Sequence, residues 1–417
     1  MPFPCLCVPR ILRLNAVGGS VSGPPRGDAT SNRVQMPLQS AANRFLFNFA
    51  ASYTGGGYKR LQAYAAWFAR NGGAWFVIHP QCLPLRERFP ENRYFVVDRS
   101  RLRRIFDDWS YLKDIRAVTG QPDLYYAYGI PLYGRFGRVN WSHLNNILTV
   151  DARGIPLSVA WRAKFRFLGW RLRRGCHHAQ VVSAESRYSL ERLRAWGIRQ
   201  AFLSVNGSDD ELSALRTGVR VPAEELAVVV GTYTYRALDE SLRVFEMLRR
   251  REPDLRLAMI GDCSAVASRI ARHPAVLLLG SLERREVVEC LRRARYFINT
   301  SYAENSYNCV AEGIFLAQRS FIAPIAPHHE LLSGETFRTI SLPGLARPLL
   351  YTERAWLRGI NLQDWNHVIE AMLRRTWEEL SHRSFHSDCN DVFMIEDPRM
   401  EHSAVGSSGS APYRDND

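Results

Sequence analysis

The chain has 417 residues, room for two or three domains at roughly 150 residues each, which excludes a peptide or a single small module. Hydrophobic residues make up 46% and charged residues 23%, a balance too apolar for general disorder. Basic residues outnumber acidic ones by 55 to 41, and the net charge of +14 favours anionic partners such as nucleotides, nucleic acid or acidic lipid headgroups. Arginines interrupt every apolar run before it reaches the roughly 20 residues a bilayer-spanning helix needs.

In chain order, residues 1–43 carry a Gly-Gly-Ser-Val-Ser-Gly-Pro-Pro stretch without periodicity and are expected to be a disordered leader, with Met36 a candidate start. Arg44 to Ala50 (RFLFNFA) predicts a strand, Thr54-Gly55-Gly56-Gly57 a glycine loop, and Tyr58 to Arg70 a helix with Leu61, Tyr64, Ala65 and Phe68 on one face. Ala74 to His79, Leu124 to Tyr128, Ile147 to Val150 and Gln180 to Ser183 read as further strands, and Leu157 to Arg174 and Arg187 to Trp196 as helices. A second series opens at Pro222: strands at Leu226 to Val230, Leu255 to Ile260, Ala275 to Leu279, Tyr296 to Thr300 and Ser320 to Ala323, with helices at Leu238 to Arg251, Arg284 to Ala294 and Asn308 to Ala317. Two βα series joined near residues 206–224 imply an α/β protein of two doubly wound, Rossmann-like domains, in which ligands sit at the carboxyl ends of parallel strands. The expected divisions are 44–205, 206–360, a terminal helix within 361–397, and a disordered tail at 398–417.

The most informative segment follows the strand YFINT. Glu304 lies in the strand-to-helix loop and Glu312, eight residues on, early in the next helix. A helix start around Ser306 to Asn308 presents free N–H groups and a positive dipole end, which suits a diphosphate. The two carboxylates repel phosphate but accept hydrogen bonds from sugar hydroxyls on either side of it. That combination is what a nucleotide sugar requires.

These residues resemble the retaining glycosyltransferases of family four, two-domain GT-B proteins with an E-x7-E motif; ENSYNCVAEG is similar to the E-N-S-x-N form found in bacterial surface-polysaccharide transferases. Gly55-Gly56-Gly57 resembles the family's first-domain glycine loop, Ser142-His143-Leu144-Asn145-Asn146 its H-L-x-N segment, and Val182-Ser183-Ala184-Glu185-Ser186 with Asn206-Gly207-Ser208-Asp209 the stretches closing the first domain. Val230 to Ala237 stands where the family has V-G-R...K-G, with Thr232 for the Arg, Arg236 for the Lys and Ala237 for the Gly. Gly280-Ser281-Leu282 and the late Asp364-Trp365 helix also match, the latter as the segment that crosses back onto the first domain.

The resemblance implies transfer of a sugar, with retention, from a UDP- or GDP-linked donor to a saccharide or lipid-linked acceptor in cell-surface polysaccharide biosynthesis, in the cytoplasm, without cofactor or metal. Glu304, His143 and Arg236 would be catalytic. Glu312, Asn305, Ser306, Tyr307, Asn308, Gly56 and Gly57 would bind the donor. Glu304 would hold the sugar, Glu312 the ribose hydroxyls, and Arg236, with the backbone around Asn305 to Tyr307, the diphosphate, as a single cation because Thr232 replaces the family's Arg. A sugar-nucleotide epimerase on the same fold stays open. An NAD-dependent oxidoreductase is disfavoured by the missing G-x-G-x-x-G and by His79-Pro80 where an acid belongs, and a nucleic-acid partner by arginines interleaved with acids.

Two features stand outside that scheme. Cys176 beside His177 and His178 is a lone metal-ligand candidate among eight cysteines otherwise read as reduced thiols. Trp161 to Arg174 (WRAKFRFLGWRLRR) carries six cations and no acid: with Trp161, Phe165, Leu168 and Leu172 on one face, it reads either as a helix lying on an anionic membrane surface at the cytoplasmic face or as one packed on the first sheet with a solvated basic side.

Overall fold

The computed structural model describes residues 44–98, 110–207, 221–231, 234–263, 270, 273–334, 336–353 and 363–391. The expected leader and tail, Ser208, Asp209 and Thr232 lie outside the described residues.

The first sheet contains β1 (Phe45–Asn48), β2 (Trp75–Ile78), β3 (Arg93–Val96), β4 (Leu124–Tyr128), β5 (Val139–Leu144), β6 (Val181–Ala184) and β7 (Ala201–Leu203), in the order β3-β2-β1-β4-β5-β6-β7. Every pairing in it is parallel. Strands covered on both faces can be apolar throughout: β1, β2 and β4 are buried at every position. The second sheet contains β8 (Glu224–Val230), β9 (Arg256–Ile260), β10 (Val276–Gly280), β11 (Ala294–Asn299), β12 (Arg319–Ile322), β13 (Arg338–Ile340) and β14 (Leu349–Glu353), ordered β10-β9-β8-β11-β12-β14-β13. Its first five are parallel, while β14 runs antiparallel to β12 and to β13. The protein is thus α/β with two parallel-dominated sheets.

The described helices are α1 (Gly55–Arg70), α2 (Pro84–Arg88), α3 (Ser110–Thr119), α4 (Val159–Cys176), α5 (Arg187–Ala195), α6 (Leu238–Arg249), α7 (Arg284–Arg293), α8 (Asn308–Leu316), α9 (Ala326–Leu331) and α10 (Trp365–Asp391). Helix α10 follows the second sheet in sequence yet buries Trp365, Val368, Ile369, Met372 and Leu373, an i, i+3, i+4, i+7, i+8 stripe, in the core of the first sheet. There it meets Phe45, Phe47, Tyr64 and Phe68; Phe47 and Phe68 lie 4.8 Å apart between ring centres, and burial of each large apolar side chain contributes about 2 kcal/mol. Gly207 lies flush against Trp365: a Cβ there would come within 2.5 Å of the indole.

Two local expectations change. Gly55, Gly56 and Gly57 are the first turn of α1 rather than a separate loop, and glycine permits this because Gly55 opens the helix at φ +61°. Ile147 to Val150 is no strand: Ile147–Thr149 is a short 3-10 turn whose preceding Asn146 accepts the Leu148 N–H at 3.0 Å, a local bond that competes with a sheet ladder. The strand in that region is β5, fully buried despite containing Asn140, Ser142 and His143.

Candidate functional site

The carboxyl ends of the central strands and the first turns of α1 and α8 converge. Neither helix has an acidic residue in its first turn or a side-chain cap, so the early N–H groups of both lack helical partners. Gly56, at the start of α1, faces the Asn308 amide at the start of α8; a Cβ on Gly56 would lie 3.8 Å from Asn308 Nδ2. At this meeting point both side-chain polar atoms of Asn308 are buried without a hydrogen-bond partner, and the buried hydroxyl of Tyr307, the residue before it, has none either. Two helix dipoles with their positive ends together raise each other's energy, and an anion between them relieves it.

Two carboxylates flank this point. Glu312, one turn into α8, takes a 2.9 Å ion pair from Lys59 Nζ on α1 through Oε1 and another at 2.9 Å from Arg284 Nη1 on α7 through Oε2. Each oxygen retains a second lone pair for a hydroxyl donor. Glu304 pairs with Arg236 Nη1 and accepts the Ser301 hydroxyl at 2.9 Å. Burial pushes the Glu304 carboxyl up, against the pull of Arg236. Arg236 donates also to Ser301 Oγ at 3.1 Å, and its Nε has no partner. Ala237, where the resembled pattern carries glycine, is a non-glycine residue in the left-handed region, at φ +48° and ψ +50°. That conformation costs of order 1 kcal/mol, and Thr300 Oγ1, donating to the Ala237 carbonyl at 2.8 Å, helps hold it so that Arg236 faces Glu304.

His143 departs most from expectation. It lies not in a polar loop facing a ligand but on β5, wholly buried, stacked on Tyr128 with ring centres 4.9 Å apart. Burial and the Arg60 charge lower its pKa to about 4, so the imidazole is neutral at pH 7 and carries one proton. Its Nε2 is 3.3 Å from Glu185 Oε1 and its Nδ1 2.7 Å from Ser183 Oγ. Burial works against the Glu185 charge, but the His143 hydrogen bond and Arg60 outweigh it and keep the carboxyl below its usual value. An ionised Glu185 only accepts, which assigns the imidazole proton to Nε2; Ser183 then donates to Nδ1 and itself accepts from Trp141 Nε1 at 2.6 Å.

Glu185 also joins the two halves. It accepts from Tyr128 OH at 2.8 Å and, through its other oxygen, from Asn305 Nδ2 at 2.9 Å. Asn305 Nδ2 donates in addition to the Leu144 carbonyl, and Asn305 Oδ1 accepts from Ser189 Oγ at 2.8 Å. The Asn305 side chain is therefore committed to the first half of the chain. Ser306 stands in the same loop, before Tyr307 and α8. Of the expected residues, Glu304, Arg236, Glu312, Asn308, Tyr307, Ser306 and Gly56 gather around the facing helix starts; Gly57 turns toward Ser52 and Tyr128, and His143 lies behind the site.

No family model matches the sequence, and no match is found among curated proteins. Among solved structures, sucrose-phosphate synthase from Thermosynechococcus elongatus superposes with a TM-score of 0.53 over 82% of this chain and 100% of its own, at 13% identity. WaaG, a glycosyltransferase involved in lipopolysaccharide biosynthesis, gives 0.51 over 70% of this chain and 84% of its own at 11% identity, and the N-terminal domain of trehalose-6-phosphate phosphatase from Candida albicans 0.50 over 72% and 86% at 12%. The chain has the GT-B fold.

In this GT-B chain the cleft is bridged by Lys59 to Glu312, by Asn305 to Glu185, and by Glu330 of α9, which accepts the Arg187 N–H at the start of α5 at 2.8 Å. Lys59 and Arg284 join Glu312, Glu185 joins Asn305, and Arg60 lies buried behind Glu185; none of the four has a role on the sequence reading alone. Lys59 and Arg60 stand two and three positions after Gly57, and basic residues one turn into that helix are the available sequence signal. Cys176 is buried, with its thiol pushed up to about 12, and among the described residues no group of three potential metal ligands exists.

Proposed function

We propose that this protein is a retaining glycosyltransferase of the family-four type, which moves a sugar from a nucleoside-diphosphate donor to a saccharide or lipid-linked hydroxyl. The observation that carries the reading is the meeting of the α1 and α8 N-termini between Glu304 and Glu312, with Asn308 unpartnered between them. The diphosphate sits at the facing helix starts, neutralised by N–H groups and by the cations of Arg236 and Lys59. Lys59 stands in for the cation missing at Thr232. Glu312 takes the ribose hydroxyls on the lone pairs left by Lys59 and Arg284. Glu304, beside Arg236, holds the sugar.

No enzyme nucleophile is needed. Stabilising the charge on the leaving diphosphate and orienting the acceptor hydroxyl supply most of the rate enhancement. His143, with Ser183 and Trp141 behind it, acts as a positioning residue: it holds Glu185, which holds Asn305 and with it the loop carrying Glu304 and Ser306. Donor transfer proceeds without metal on this reading, and UDP and GDP are the donor bases to test first.

The test is a thermal-shift panel of UDP, GDP, ADP, CMP and NAD, with and without chelator. At 100 times its dissociation constant a ligand adds about 2.7 kcal/mol, a rise of several degrees for domains of this size. UDP or GDP is expected to raise the melting temperature and chelator to change nothing; a response to NAD alone, or one that requires a divalent ion, sinks the proposal.

A second expectation concerns Glu312. Alanine there removes the acceptor for ribose hydroxyls and leaves Lys59 and Arg284 without their carboxylate. Nucleoside-diphosphate affinity should fall by about 1.5 to 3 kcal/mol, on the order of 10- to 150-fold, by calorimetric titration. Unchanged affinity would place the ribose elsewhere.

A further inference from the structure

Helix α4 has two apolar faces, one buried and one exposed. Phe165, Gly169, Leu172, Gly175 and Cys176 turn inward and are buried. On the opposite face, at the spacing of a 3.6-residue turn, stand Val159, Ala163, Phe167 and Trp170. Val159 is 84% exposed, Trp170 53% and Phe167 36%, and the Phe167 and Trp170 rings lie 5.9 Å apart, forming one ridge. Cations line both sides of it: Arg162, Arg166 and Arg173 along one flank, Lys164 and Arg171 along the other, with Arg174 at the carboxyl end of the ridge and no acid in the helix. Arg174 lies over Trp170 at 5.1 Å and Arg171 over Phe167 at 5.8 Å. The sequence expectation set the face of Trp161, Phe165, Leu168 and Leu172 either on a membrane or on the first sheet; Phe165 and Leu172 of that face are buried in the protein, whereas Trp161 is 43% exposed.

We propose that this outer face of α4 docks on an anionic lipid bilayer surface. One partner then meets both chemistries of the face: the aromatic ridge enters the headgroup–acyl boundary while the flanking cations meet lipid phosphates, their stems lying along the ridge. A protein partner would have to supply an apolar groove walled by acids on both sides. The helix itself is neither long nor apolar enough to cross a membrane.

The inner face says what docking achieves. Phe165 packs with Leu148, Ile155 and Leu157, and against this cluster lie Leu168, Tyr235, Tyr302 and Ala303. Tyr235 and Ala303 immediately precede Arg236 and Glu304. A bilayer under α4 therefore lies beside the mouth of the cleft, where an acceptor carried on a lipid is presented directly. The docking stands on the helix alone; the lipid-linked acceptor rests on the glycosyl-transfer reading.

The test is sedimentation of the full chain with phosphatidylcholine vesicles containing or lacking phosphatidylglycerol. The parent should pellet with the anionic vesicles, and pelleting should fall as salt rises. Arg162→Glu, Arg166→Glu and Arg173→Glu together should lower partitioning about 100-fold, and Phe167→Ser with Trp170→Ser about tenfold. All five side chains are exposed, so melting temperature and nucleotide response should match the parent. Equal pelleting by parent and charge-reversed protein, equal pelleting on neutral vesicles, or self-association lost with the aromatics in place of vesicle binding would each overturn the proposal. Because the readout is vesicle binding, a failure of the glycosyl-transfer reading leaves this result intact.

Discussion

Glutamine in place of Glu304 lowers sugar transfer and donor hydrolysis by about two orders of magnitude while leaving nucleoside-diphosphate affinity within about threefold of the parent. Glutamine keeps the shape and an acceptor for the Ser301 hydroxyl, whose bond to Glu304 is 2.9 Å. It removes the negative charge that Arg236 faces and that a developing positive charge on the sugar would use. The diphosphate does not touch Glu304 in the proposed arrangement, so binding of the nucleotide alone is spared. Calorimetric titration beside single-turnover rates separates the two effects, with the melting temperature as a control for the buried pair. Full activity in the variant places the sugar away from Glu304, and equal loss of affinity in the Glu304 and Glu312 variants merges two roles kept separate here.

Methionine in place of Arg60 should destabilise the protein by about 3 to 5 kcal/mol, the cost of breaking a buried ion pair on one side. Arg60 is completely buried. Its Nε donates to Asn206 Oδ1 at 3.1 Å, Nη1 to Ser204 Oγ at 3.1 Å and to the Tyr126 hydroxyl at 3.3 Å, and Nη2 to the carbonyls of Ser204 and Val205 at 2.9 and 3.0 Å. These bonds tie α1 to the segment leaving β7, and Glu185 lies 3.9 Å from Nη2. Methionine fills the volume but leaves two carbonyls without their donor and Glu185 with neutral donors only, its charge no longer offset by a cation. The melting temperature should fall by roughly 10 °C at 2 to 4 °C per kcal/mol. Arg60→Lys should recover only part of this, because a point charge with three donors cannot span the same acceptors. A methionine variant within about 1 kcal/mol of the parent by denaturant titration would show that Glu185 is held without Arg60.

What could be read from the chain alone was what local sequence encodes. Apolar runs such as LAVVV and the periodicity around Leu61, Tyr64 and Phe68 mark strands and helices because burial on both sheet faces or on one helix stripe leaves its pattern within a few residues. The alternation of those elements implied the α/β class. The strand, the loop carrying Glu304 and the helix carrying Glu312 are contiguous, so their geometry is set by one βα turn. The resemblance around them extended that reading to GT-B, which the superpositions bear out.

Whatever depended on distant partners stayed hidden. Strand β5 carries Asn140, Ser142 and His143 at buried positions, a pattern that reads as loop until Ser183 of β6 arrives with Gln180 before that strand and Glu185 after it. Asn305 looked like a ligand contact, yet 120 residues of chain separate it from the Glu185 that claims its amide. Glu312 was legible as a carboxylate but not as the meeting point of Lys59 and Arg284, because an ion pair leaves no periodic signal at either end. Periodicity in α4 likewise shows apolar residues on more than one side without saying which side the sheet will cover. Only packing decides that, since burial belongs to the assembled fold and not to the helix, and it left Phe167 and Trp170 facing out.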